Sequence, residues 1–213
     1  MTKDEVRKAM LLYAVTDRAW AKEKTLLEQI EDALEGGSTC IQLREKELDD
    51  AAFLDEAFKV KVLCNKHNVP FIVNDNVEIA LKAGADGVHV GQSDLPLREV
   101  RKMCGSGMVI GVSAQTAAQA VEAERNGADY LGVGAVFPTS TKKDADAVSL
   151  ATLREICKSV SIPVVAIGGI SNANMMQLKG TGIAGVALVS AIFAAKDIAA
   201  ECRVLKKALM ELF

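Results

Sequence analysis

The chain has 213 residues, half of them apolar and a quarter charged, with a formal net charge of −3. That length supports one sizeable hydrophobic core and is short for two, so a single domain spanning residues 1–213 is expected. The charge is spread without a basic block or aromatic-basic interleaving, which leaves nucleic acid no electrostatic footprint.

No apolar run reaches the ~18 residues of a membrane span, so no membrane partner is expected. The opening Met1-Thr2-Lys3-Asp4-Glu5 is acidic and lacks the basic start of a signal peptide, which makes the cytoplasm the expected location. Cys40, Cys64, Cys104, Cys157 and Cys202 show no CxxC pair and no histidine at a zinc-ligand spacing, and read as buried free thiols. Assembly into a homo-oligomer is left open by these totals.

In chain order, short β-branched runs predict strands at 11–15, 40–43, 71–73, 87–90, 109–112, 131–136, 164–167 and 186–189. Amphipathic stretches predict helices at 25–34, 49–66, 116–126 and 150–159, with a final helix from about 191 to 213. A helix ending at glycine before the next strand recurs at Gly37, Gly84, Gly127 and Gly182, about two strand-helix units apart. Eight such units in one core-forming chain predict an α/β fold, a single-domain (β/α)₈ TIM barrel. The competitor is an open doubly wound sheet, but a dinucleotide-binding sheet needs G-x-G-x-x-G after its first strand. Here the first strand runs into Thr16-Asp17-Arg18.

A barrel concentrates its chemistry at the carboxyl ends of its strands. At the end of the second strand, the two-residue period places Gln42, Arg44 and Lys46 on one side and Ile41 and Leu43 on the other, so two cations and an amide share one face. The third strand ends in Asn74-Asp75, the fourth in Gly91-Gln92-Ser93-Asp94, the fifth in Ser113, and the sixth in Pro138-Thr139-Ser140-Thr141-Lys142. A diphosphate bound with Mg2+ explains this mixture. Asp75 and Asp94 suit magnesium, which takes one or two carboxylates plus phosphate oxygens and water. Arg44, Lys46 and Lys142 suit the outer phosphate oxygens. The alternative for any one of these charges is an ordinary solvated loop residue.

A second anion site is expected where Gly168-Gly169-Ile170-Ser171-Asn172 and Val189-Ser190-Ala191 lead into helices. A glycine turn with a serine cap explains Ser171 equally well. His67 reads as a surface or capping residue and His89 as a hydrogen-bonded structural histidine within the fourth strand. No nucleophilic triad is visible. The loop from Pro138 to Val148 is a candidate lid by its length and charge.

Over essentially its whole length the chain resembles the thiamin phosphate synthase family, on Gln42-Leu43-Arg44-Glu45-Lys46, Asn74-Asp75, Gly91-Gln92-Ser93-Asp94, Thr139-Ser140-Thr141-Lys142 and Val165-Ala166-Ile167-Gly168-Gly169-Ile170. The resemblance implies a Mg2+-dependent transferase with two small-molecule substrates, a pyrimidine diphosphate and a thiazole phosphate. It implies that Gln42, Leu43, Arg44, Glu45, Lys46, Asn74, Ser113 and Lys142 contact the pyrimidine diphosphate, with Arg44, Lys46, Ser113 and Lys142 acting in catalysis. Asp75 and Asp94 are implied to hold the metal. Thr139, Ser140, Thr141, Gly169, Val189 and Ser190 are implied to hold the thiazole phosphate. The implied mechanism is dissociative: diphosphate departs, and the thiazole nitrogen captures a pyrimidine methylene cation. Rival readings are a thiazole tautomerase on the same barrel, a sugar-phosphate epimerase or isomerase, and a binding module without turnover.

Overall fold

The computed structural model describes residues 1–139 and 147–212. Within them, eight strands pair in parallel and in sequence order, and the last pairs with the first to close a barrel. They are β1 (Leu12–Val15), β2 (Cys40–Leu43), β3 (Phe71–Asn74), β4 (Gly87–Val90), β5 (Val109–Ala114), β6 (Tyr130–Val133), β7 (Val164–Ile167) and β8 (Gly185–Leu188). The α/β TIM-barrel expectation is borne out.

Helices α1 (Lys3–Ala9), α2 (Leu26–Glu35), α3 (Asp50–Lys66), α4 (Val77–Lys82), α5 (Leu97–Cys104), α6 (Ala117–Arg125), α7 (Leu150–Ser159), α8 (Ser190–Phe193) and α9 (Ile198–Leu212), with short 3₁₀ turns at Arg18–Trp20 and Met175–Leu178, complete the described elements. Several begin where the sequence supplies a side-chain cap. Thr25 and Thr116 form capping boxes with Glu28 and Gln119, while Asp49, Asn76 and Ser149 each accept from a backbone N–H one turn on. Gly37, Gly84 and Gly127 have positive φ, as helix-ending residues require, and Gly182 has it in the turn that leads into β8. No helix among the described residues is long and apolar enough to cross a membrane.

Alternation along the strands separates two apolar layers. Ile41, Leu43, Val73, Val88, Ile110 and Leu131 point outward into the core beneath the helices. Tyr13, Val15, Cys40, Ile72, Val109, Tyr130, Val165 and Ala187 fill the lumen, where Val6, Ala9 and Met10 close its amino-terminal end. Among the described residues the barrel is thus packed at the bottom, and its cavity lies at the carboxyl end, the end that carries the polar strand termini.

Four expectations need correction. The final helix is broken between Phe193 and Ile198, because Asp197 starts a new helix: its side chain accepts from the Ala200 N–H and its carbonyl from the Glu201 N–H. The segment after β7 enters a single 3₁₀ turn, Met175–Leu178, instead of an α-helix. Strand β6 stops at Val133 rather than residue 136, and the close approach of Gly134 to β7, where a Cβ would lie 2.0 Å from the Ile167 carbonyl, leaves room for glycine alone. All five cysteines are free, but Cys104 and Cys157 are only half-buried.

Candidate active site

A cavity of about 560 Å³ opens at the carboxyl end of the barrel. Its wall is built strand by strand from residues whose side chains point into the lumen. Gln42, Arg44 and Lys46 face it from the end of β2, and Asn74 and Asp75 from β3. Asp94 comes from the turn after β4, Ser113 from β5, and Thr139 from the segment after β6. Gly169, Val189 and Ser190 close the wall after β7 and β8. Ser140, Thr141 and Lys142, also expected at this site, lie outside the described residues, as does most of the candidate lid.

Leu43 and Glu45 are brought to the same segment but not into the cavity. Leu43 is fully buried beneath the helices. The Glu45 carboxylate is 1 % exposed and is held by the Arg18 guanidinium, which also bridges to Glu56. Burial pushes the Glu45 carboxyl up while Arg18 opposes the shift. Arg44 is anchored at its backbone, where its N–H donates to Thr16 Oγ1 at 2.9 Å, and its guanidinium lies 3.7 Å from Asp17. Arg44 also lines the cavity.

Asp75 is one of two non-glycine residues with positive φ among those described, at +62°. That conformation costs an L-residue roughly 1–2 kcal/mol, and it turns the carboxylate toward Asp94. The pose is fixed from both sides, since the Asp75 N–H donates to the His89 carbonyl at 2.8 Å and Asp94 Oδ2 accepts from the Gly91 N–H at 2.6 Å. Desolvation in the crowded rim, and then the Asp94 carboxylate in hydrogen-bond contact, push the Asp75 carboxyl up to about 6 despite opposing Arg44 and Lys46. Two carboxylates pressed together in this way hold a shared proton or a cation. Among the described residues no three His, Cys, Asp or Glu side chains gather at one point. A hard ion that takes two protein carboxylates and completes its shell with phosphate and water fits this donor set.

The turn after β7 is shaped by two glycines of positive φ, Gly168 at +95° and Gly169 at +65°. Asn174 staples it, donating from Nδ2 to the Gly169 carbonyl at 2.8 Å and accepting at Oδ1 from the Ser171 N–H at 2.9 Å. Ser171 is therefore held by a turn and does not cap a helix. Ser190 does begin a helix, the four-residue α8.

Sequence reasoning passed over the floor of the cavity. Tyr13, Tyr130 and His89 line it, and they connect Gln42 to Ser113 through consecutive hydrogen bonds. His89 is indeed hydrogen-bonded, as expected, but it belongs to the cavity wall. Gln92 fixes the same corner, donating from Nε2 to the Ser113 carbonyl at 2.6 Å.

The sequence signature described as thiamine monophosphate synthase matches residues 12–192. A thiamine-phosphate synthase of Ruminiclostridium cellulolyticum is 56% identical over 187 residues, covering 88% of this chain and 89% of its own. One of Clostridium tetani is 49% identical over 191 residues, covering 90% and 91%. Among solved structures, thiamine phosphate pyrophosphorylase from Pyrococcus furiosus superposes with a TM-score of 0.90 at 38% identity, covering 98% of this chain and 99% of that one. The chain belongs to the thiamine monophosphate synthase family.

Proposed function

We propose that the chain joins an aminopyrimidine methyl diphosphate to a thiazole phosphate, giving thiamin phosphate and diphosphate, with carbon dioxide also lost when the thiazole carries a carboxylate. The observation that carries this reading is the Asp75–Asp94 carboxylate pair beside Arg44 and Lys46 in one cavity. A site for a neutral or purely anionic ligand has no use for such a mixture, whereas a metal-bound diphosphate uses both halves of it.

In this reading Asp75 and Asp94 hold magnesium, which when bound neutralises charge on the departing diphosphate. Arg44 and Lys46 stand as fixed cations around the same leaving group, stabilising its growing charge without reorganising at the moment of bond cleavage. Ser113 donates to it from the opposite wall. Lys142 is assigned to the diphosphate by its place in the family motif. Gln42 and Asn74 orient the pyrimidine ring, and Leu43 and Glu45 contribute through backbone. Gly169, Val189 and Ser190, with Thr139, Ser140 and Thr141, hold the thiazole phosphate so that its ring nitrogen lies in line with the methylene carbon. Proximity to a developing cation replaces a protein nucleophile, which explains why no triad is needed. Five free thiols suit a reducing cytoplasm.

The test is formation of thiamin phosphate from both substrates with magnesium. Native protein is expected to turn over. Arg44→Ala is expected to lower kcat/KM for the pyrimidine diphosphate about 100-fold, with the KM for thiazole phosphate within about two-fold of native. Folded native protein that binds thiazole phosphate yet forms no product would overturn the synthase reading in favour of a binding protein.

A further inference from the structure

The lumen floor holds five polar side chains in one unbroken line. Gln42 Nε2 donates to Tyr13 Oη at 2.7 Å, and the Tyr13 and Tyr130 hydroxyls are 2.9 Å apart. Tyr130 Oη lies 3.0 Å from His89 Nδ1, and His89 Nε2 lies 3.0 Å from Ser113 Oγ. Gln42, Tyr13 and Tyr130 are all buried. Two glycines make room for the line. A Cβ at Gly111 would meet the Tyr130 hydroxyl at 2.4 Å, and one at Gly132 would meet His89 Cε1 at 3.0 Å. Burial pushes both tyrosine hydroxyls well above their usual range, so each keeps its proton and each has one to give.

A line of this kind has a direction, because each hydroxyl that accepts from one neighbour gives its proton to the next. With Gln42 donating, Tyr13 donates to Tyr130 and Tyr130 donates to His89 Nδ1. The ring then carries its hydrogen on Nε2 and donates to Ser113, whose own proton is left to be given to a ligand. Reversing the Gln42 amide reverses every link, and Ser113 would then spend its proton on His89 and face the cavity as an acceptor. Only the first direction suits an anionic ligand at Ser113.

We infer that Tyr13, Tyr130 and His89 are positioning residues that order the Ser113 hydroxyl as a donor to the diphosphate-bearing substrate, and so couple what Gln42 binds to what Ser113 binds. The inference rests on the proposed function for the identity of that substrate, but the ordering itself is a property of the protein alone. Neither tyrosine nor the histidine needs to touch a reacting atom.

The ordering is read first, without substrate, from the ring nitrogen resonances of protein labelled with 15N-histidine at alkaline pH, where His67 is the one other histidine. His89 is expected as the neutral form with its hydrogen on Nε2, and Tyr130→Phe is expected to lose that single form. A native ring protonated on Nδ1, or one unchanged by Tyr130→Phe, overturns the inference. The kinetic reading uses Tyr13→Phe, Tyr130→Phe and the double variant. Each is expected to raise the KM for the pyrimidine diphosphate about ten-fold, the value of one lost hydrogen bond. The KM for thiazole phosphate should stay put. The double variant should be no worse than either single one, and Tyr130→Phe should add nothing in a Ser113→Ala background. Penalties that multiply instead would show independent packing defects and overturn the relay. If Tyr130→Phe fails to fold, the native tautomer and Tyr13→Phe still decide. The expected tautomer in a protein without turnover would overturn the synthase reading alone, and turnover with the wrong tautomer would overturn the relay alone.

Discussion

Asp75→Asn is expected to abolish nearly all magnesium-dependent turnover while making the metal-free protein more stable at neutral pH. The loss, about 1,000-fold or more, follows from removing one of two carboxylates that would anchor the metal against the leaving group. The gain in stability follows from proton linkage. The folded state raises the Asp75 carboxyl from 3.8 to about 6, so it binds that proton more tightly than the unfolded chain does. The group therefore favours folding below about pH 4, and this contribution is lost as pH rises through 6, above which two carboxylates face each other with Arg44 and Lys46 offsetting only part of the repulsion. A shift of this size is worth about 3 kcal/mol unscreened. The Asp75 residue is open to solvent at the rim even though its carboxylate is crowded by its neighbours, so screening cuts this to about 1 kcal/mol. Asparagine removes the charge and still tolerates the left-handed backbone, which separates electrostatics from strain. Thermal melts in chelator from pH 4 to pH 8 test this: the variant should gain on the native protein as pH rises and match it at the acid end. Equal melting at every pH, or turnover that survives the substitution, would remove the metal assignment.

How much of this was legible beforehand depended on the range of the interaction. The strand positions and the Gln42, Arg44, Lys46 face were readable because both follow from a two-residue period and local turn chemistry. The carboxylate pair was readable as two strand-end residues, but not as a mutual contact, since Asp75 and Asp94 meet only once β3 and β4 are in register. The Glu45 side chain looked like a ligand in its motif but is held by Arg18, a partner 27 residues away. Tyr13 and Tyr130 were hidden because a strand buried on both faces carries no polarity signal, so a tyrosine aimed into the lumen reads like one aimed at a helix. The break before Ile198 had a local signal in Asp197. Helix-forming residues on both sides masked it, and a cap in mid-pattern is weak evidence until its acceptor geometry is seen.

Gly169→Ala is expected to cripple the thiazole phosphate side of the reaction while leaving the pyrimidine diphosphate side nearly intact. Two costs coincide at this position. An alanine at φ +65° carries about 1 kcal/mol of backbone strain. Its Cβ would also lie 2.4 Å from the Pro138 carbonyl and 2.6 Å from that of Phe137, contacts with backbone that no side-chain rotation relieves. The loop must shift away from the segment leading to Thr139, and the two walls proposed to hold the phosphate separate. A loss of about 3 kcal/mol in stability is expected, with a rise of about 100-fold in the KM for thiazole phosphate, since misplacement of about 1 Å is enough for an effect of that order. Gly180→Ala is the matched control. Gly180 has φ +74° and nothing within 4 Å of its would-be Cβ, so it pays the strain without the clash. That variant should lose about 1 kcal/mol and keep native kinetics. Should the two variants behave alike, close packing of the β7 turn against Phe137 and Pro138 is not what shapes the site, and the phosphate would have to be held mainly from Ser190 and the end of β8.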